Sequence, residues 1–174
     1  MIRYLAPLAL LWSPAAQAQE IFAGVFAHGV DTPLTFDTGE GGTDIQAGVR
    51  GGRLLNAGVA SLRPYAMVSV NTNGDTSFAA AGLSLQIGLA GWFVRPALGV
   101  AVHDGPSRRV DPATNLRTDL GSRVLFAPEL GIGATILPGI SAEATWTHLS
   151  HAQIFGPQNP GLDMIGTRLS IALP

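Results

Sequence analysis

Beyond residue 18 the chain alternates. Ile45, Ala47 and Val49 stand against Asp44, Gln46 and Arg50, and Leu83, Leu85 and Ile87 against Ser84 and Gln86. Val124, Phe126, Leu130 and Ile132 stand against Arg123, Glu129 and Gly131. A period of two is that of a strand, whose successive side chains leave by opposite faces. The pattern places strands at 20–30, 43–53, 62–71, 76–88, 91–103, 122–136, 141–154 and 163–173, eight in all. Apolar residues make up 47% of the chain and charged ones only 13%, about half the roughly 25% usual in soluble domains. Yet no apolar run there reaches the 18 residues of a membrane helix. A chain that is apolar without apolar runs fits alternating strands that turn one face to lipid. In hydrocarbon such strands must close on themselves, because an open edge leaves backbone groups unpaired. The sequence therefore predicts an all-β protein, an eight-stranded antiparallel transmembrane barrel of the outer membrane.

The first 18 residues read differently. Arg3 precedes an apolar stretch from Tyr4 to Trp12, and Ala16-Gln17-Ala18 forms an A-x-A cleavage site. Residues 1–18 are expected to be a secretory signal peptide and 19–174 the barrel. Cysteine is absent, which removes both a disulfide framework and lipid attachment through sulfur. A formal net charge of −2 argues against a nucleic-acid partner.

Connections alternate in length, with long ones at 31–42, 104–121 and 155–162 and shorter ones at 54–61, 89–91 and 137–139. Outer-membrane barrels put long loops outside and short turns in the periplasm. The tight turn at 72–75 falls on the outside against that rule. Pro96 and Pro128 interrupt strands and are expected to be accommodated by local bulges. The faces opposite the apolar ones carry Asp44, Arg50, Arg63, Arg95, Glu129, Glu143 and Arg168. An eight-stranded interior is only wide enough for side chains to fill, and charges of both signs can pair there. The expected interior is a polar plug without a diffusion pore.

One strand breaks its own pattern. The apolar face of 141–154 runs Ala142, Ala144, Trp146, and then His148 and Ser150. Polar groups facing hydrocarbon are costly and suggest function, although the wet rim of a barrel would also accommodate them. Asp163 opens the last strand on the face shared by Ile165, Leu169 and Ile171, and a short loop folds that strand back beside His148. A hydroxyl, an imidazole and a carboxylate are the parts of an activated nucleophile. His148 and Ser150, two apart on a strand, have Cα atoms roughly 6.5–7 Å apart, close enough for their side chains to meet.

"H-L-S" at 148–150 followed by "NPGLD" at 159–163 resembles the lipid A 3-O-deacylases, outer-membrane acyl hydrolases of the PagL type. The local motif spans 146–170 and the barrel pattern extends the likeness to the whole mature chain. The resemblance implies an outer-membrane esterase that removes an ester-linked acyl chain from the lipid A of lipopolysaccharide, without cofactor or metal. Carried over, Ser150 is the nucleophile, His148 the general base and Asp163 the acid that orients it. Backbone N–H groups near Ala152 and Gln153 are candidates for the oxyanion site, with Asn159 holding the loop. Two positions depart from the family: His151 stands where Asn is usual, and Asp163 where the best-known members have Glu. Arg108 and Arg109, with Arg117, are candidates to grip lipid A phosphates, solvation being the plainer role. His28 and His103 end strands on the same rim but lack a spaced ligand set for a metal. Trp92 and Trp146 read as interface anchors. The alternative is a non-catalytic small barrel with a structural or adhesive role. The sequence leaves the oligomeric state open, a dimer included.

Overall fold

The computed structural model describes residues 19–106 and 108–174, so the predicted signal peptide lies outside the described residues. The strands are β1 (Glu20–His28), β2 (Thr43–Arg50), β3 (Leu55–Ala57), β4 (Ala60–Asn71), β5 (Phe78–Leu89), β6 (Trp92–His103), β7 (Val124–Leu137), β8 (Ile140–Leu149) and β9 (Leu162–Ala172). Eight long strands pair antiparallel in chain order, and the β1–β9 and β2–β4 ladders close them into a barrel. The short β3, which alternation did not reveal, is a stub hairpin on the start of β4. Gly58 turns that hairpin in the left-handed region, φ 64°, where side chains with a Cβ are disfavoured.

Closure sorts the side chains by parity. Val25, Ile45, Val68, Leu98, Val100, Ile132 and Leu169 stand exposed on the outer wall. Inside, Phe22, Phe26, Tyr65 and Met67 pack with the charged groups the alternation assigned there. Gly48 faces inward where a Cβ would collide with the Phe22 ring. The interior charges are paired: Arg50 with Glu20 and Glu143, Arg95 with Glu143 at 2.6 Å, and Arg168 with Glu129 at 2.8 Å. The Arg50 and Arg168 guanidinium carbons lie 4.3 and 4.8 Å from the centroid of the Phe22 ring, adding cation–π attraction. A buried charge is tolerable only with such partners. The lumen is a filled network, as its mixed charges required.

The prolines correct one expectation. Neither Pro96 nor Pro128 sits at a bulge. The β5–β6 ladder lapses between Ser84↔Ala97 and Ile87↔Val94 and resumes in the same register past Pro96. The β7–β8 ladder stops at Glu129↔Thr147 and reappears in register as the Phe126↔Ser150 bridge. A proline lacks the N–H but keeps the extended shape, so the bond is lost and the register kept. The register shift in β7 falls instead between Thr135 and Leu137, beside the turn at 138–139.

Antiparallel order gathers the connections 29–42, 72–77, 104–123 and 150–161 at one end, opposite Glu20 and Ala172. There Glu40 fastens three of them. It meets His28 at 2.9 Å, accepts from the Thr76 hydroxyl at 2.8 Å and pairs with Arg109 at 2.9 Å. The tight turn that broke the loop-length rule thus supplies Thr76 and Asp75 to a clasp between loops. Burial pushes the Glu40 carboxyl up, but hydrogen bonds from His28 and Thr76 and the Arg109 charge outweigh it and hold Glu40 below the usual carboxylate range.

Candidate active site

On the outer wall, β8 and β9 are in register so that His148 is the direct partner of Asp163. His148 Nδ1 lies 2.6 Å from Asp163 Oδ1. A carboxylate only accepts, so the proton sits on Nδ1 and Nε2 is left as the basic nitrogen. Trp146 stacks on the imidazole with ring centroids 5.9 Å apart and planes 26° off parallel. Gly161, in the left-handed region at φ 74°, passes so close that a Cβ there would lie 2.9 Å from His148 Cε1. Any other residue would press on the ring. The aspartate, one methylene shorter than a glutamate, reaches the histidine because it starts directly opposite.

Ser150 lies two residues further on the same side, where β8 has just ended. Its backbone bridges Phe126 through two hydrogen bonds of 2.7 and 3.1 Å. Among the described residues its hydroxyl makes no hydrogen bond, to His148 or to any other group. In unliganded enzymes such bonds are often long and tighten only with substrate. The strand does not run on to 154 as alternation suggested. The chain turns at His151, and Ala152 and Gln153 follow with φ of 50° and 59°, an uncommon conformation for non-glycine residues. Both are exposed.

The turn is braced from within. Asn159 Oδ1 accepts the His151 N–H at 2.9 Å, and His151 Nε2 meets the Gln158 carbonyl at 2.7 Å. His151 is fully buried, so it is an internal strut of the loop that follows Ser150. The Gln158 amide donates to the Arg117 and Asp119 carbonyls at 2.9 and 3.0 Å, tying this loop to 104–123.

The arginines divide. Arg108 is exposed. Arg109 is engaged by Glu40 and by the Thr38 carbonyl at 3.1 Å, so its charge is already answered inside the protein. Arg117 pairs with Asp119 through two bonds of 3.0 and 2.8 Å. Burial raises the Asp119 carboxyl, but the Arg117 bond and charge, with the Arg109 and Gly121 backbone N–H groups, together outweigh it and hold Asp119 below the ordinary range. His28 and His103 face inward, apart in their contacts: His28 lies between Glu40 and Asp44, and His103 Nε2 meets the Ser122 carbonyl at 2.7 Å. Trp92 is exposed near the terminal end of the wall.

What alternation could not reveal is the cover over Asp163. Its parity is outward, yet it is 1% exposed, because the loop 29–42 lies across it. Val30 N–H donates to the Asp163 carbonyl at 3.0 Å and Phe36 N–H to the Pro160 carbonyl at 2.9 Å, while the Thr32 hydroxyl donates to Asp163 Oδ2. The one hint in the sequence was the length of that loop, since long ordered loops tend to be functional.

A family model described as Lipid A 3-O-deacylase (PagL) matches residues 27–172. Among solved structures, that of the outer membrane enzyme PagL aligns with a TM-score of 0.63 at 16% identity, covering 88% of this chain and 99% of that one. The N-terminal β-barrel domain of Pseudomonas aeruginosa OprF aligns at 0.53 and 9% identity, over 90% and 98% of the two chains. At these identities the solved structures speak for the fold alone. No curated protein matches the chain.

Proposed function

The chain belongs to the lipid A 3-O-deacylase (PagL) family and is an outer-membrane lipid A deacylase; we propose that it cleaves the 3-O ester through Ser150, His148 and Asp163. The observation that carries this reading is the 2.6 Å contact between His148 and Asp163 on the outer wall, with a serine two residues along the same face.

Lipid A resides in the outer leaflet, its ester bonds at the boundary of headgroup and hydrocarbon. A lumen filled by ion pairs admits no such substrate, so the chemistry belongs outside, near the loop end. There His148 Nε2 takes the Ser150 proton as Oγ attacks the acyl carbonyl, and Asp163 steadies the imidazolium. The left-handed turn at Ala152 and Gln153 is suited to turn backbone N–H groups toward the developing oxyanion, where preorganised donors contribute most. The sugar hydroxyl leaves with the proton from His148, and water releases the fatty acid from Ser150 by the same route in reverse. A crater of about 820 Å³ among the loops 29–42, 104–123 and 150–161, bordered by Gln153, Asn159 and Arg117, offers room for a headgroup beside that site.

The test is mass spectrometry of lipid A from cells producing the parent or the Ser150→Ala protein. The parent is expected to leave lipid A one ester-linked chain short, and the variant to leave it fully acylated. Deacylation by Ser150→Ala at near the parent rate would refute the mechanism, and unchanged lipid A in both would favour a non-catalytic barrel.

A further inference from the structure

We propose that Thr32, in the loop 29–42, is a positioning residue for the reaction: it holds one oxygen of Asp163 so that the other stays on His148. The inference rests on the reading of Ser150, His148 and Asp163 as the catalytic set. The two carboxylate oxygens have separate partners. Oδ1 faces His148 Nδ1 at 2.6 Å and Oδ2 accepts from Thr32 Oγ1.

The direction of the second bond is fixed by the loop itself. The Thr32 hydroxyl accepts the Leu34 N–H at 3.0 Å, so its single proton is left for Asp163. A small turn holds Thr32 in place, with its N–H donating to Thr35 Oγ1 and its carbonyl accepting the Thr35 N–H, both at 3.2 Å. The Val30–Asp163 and Phe36–Pro160 backbone bonds fasten the loop on either side.

Two physical needs meet here. Asp163 is almost fully buried, and without Thr32 its Oδ2 would lose its side-chain donor away from water, at a cost in free energy. The final torsion of an aspartate is also broad. With only one oxygen held, the carboxylate could swing off the imidazole and release its orientation. Thr32 thus makes the loop 29–42 a part of the site, although it lies 131 residues from Asp163 in the chain.

The test compares Thr32→Val, which keeps the shape and removes the hydroxyl, with Thr32→Ser, which restores it. Both are assayed in detergent for kcat and KM on lipid A and for the rate of Ser150 labelling by a small fluorophosphonate. Thr32→Val is expected to lower kcat and the labelling rate together by about tenfold, the scale of one lost hydrogen bond to a charged group, with KM within about twofold of the parent. Thr32→Ser is expected to recover both. If Ser150→Ala is inactive while Thr32→Val keeps the parental kcat and labelling rate, or alters KM alone, the positioning role is overturned and the catalytic set stands. An active, unlabelled Ser150→Ala would instead remove the catalytic reading itself. Should Thr32→Val lose the compact barrel on an unboiled gel, Thr32→Ala and Thr32→Ser take its place, and equal kcat in those two overturns the proposal.

Discussion

His148 and Asp163 are partners across the β8–β9 ladder, and their side chains meet at 2.6 Å on the outside of the barrel. Directly opposed residues on one face have Cβ atoms only about 4.5–5.5 Å apart, so a carboxylate on one short arm suffices. The contact is built into the strand register, and a slip of one residue in either strand would turn that strand's group to the lumen and part the pair.

Asp163→Ala is expected to keep the barrel and lower kcat on lipid A by roughly two orders of magnitude, leaving residual turnover, because Ser150 and His148 remain but the imidazole is no longer oriented. Steady-state kinetics in detergent micelles check this. A kcat equal to that of the parent would exclude Asp163 from the mechanism.

Ser150→Ala and His148→Ala should abolish turnover, on the order of 10³-fold or more, without loosening the fold. Neither side chain packs the interior, where Leu149 and Thr147 are the buried neighbours. Heat-dependent mobility on a gel is the measurement, and a large drop in the unfolding temperature of either variant would show that the pair is structural.

The arginines of the long loop should separate. Arg108→Ala is expected to weaken activity on intact lipid A several-fold while sparing a small soluble ester. Arg109→Ala should reduce both alike, because it removes a member of the Glu40 clasp that anchors the loop over Asp163. If the Arg109 variant spared the small ester, the clasp would not matter to the site.

The clasp also predicts a pH response. Glu40 is held below its ordinary value of 4.5, so the folded state binds its proton less readily than the unfolded chain does. Its stabilising contribution is present above that value and is lost as pH falls through the lower, folded one. Hydrogen exchange in residues 29–42, corrected for intrinsic rates, should stay slow from neutral pH down to about 4.5 and quicken below it. Protection that continued unchanged into stronger acid would mean that Glu40 does not hold the loop.

Alternation made the eight long strands legible, along with their facing and the paired charges of the interior, because a period of two is imposed by the pleat itself. It located His148, Ser150 and Asp163 on one wall for the same reason. It did not show that Asp163 is covered, since parity reports which way a side chain leaves the backbone and not what a loop lays over it. Thr32 carries no local signature, its partner being set by how the loop 29–42 folds back. The prolines looked like bulges because alternation cannot separate a missing hydrogen bond from a shifted register. Arg109 looked available for phosphate until Glu40, 69 residues away, was found against it.

The outer wall is not equally tall all round. On β6 the outward residues from Trp92 to Val102 are all apolar, ten steps that rise about 25 Å at an ordinary strand tilt. On β8 they last only from Ile140 to Trp146, six steps or about 15 Å, before His148 and Ser150 interrupt them. A bilayer of uniform thickness cannot match both sides. It must thin beside β8, or the barrel must lean, at a fraction of a kcal/mol for each ångström of mismatch. Either adjustment lowers the leaflet surface at Ser150 and carries the headgroups of passing glycolipids down with it. With Ser150 as the proposed nucleophile, the short side of the barrel brings the ester to the depth of the serine, and the substrate need not be lifted out of the membrane.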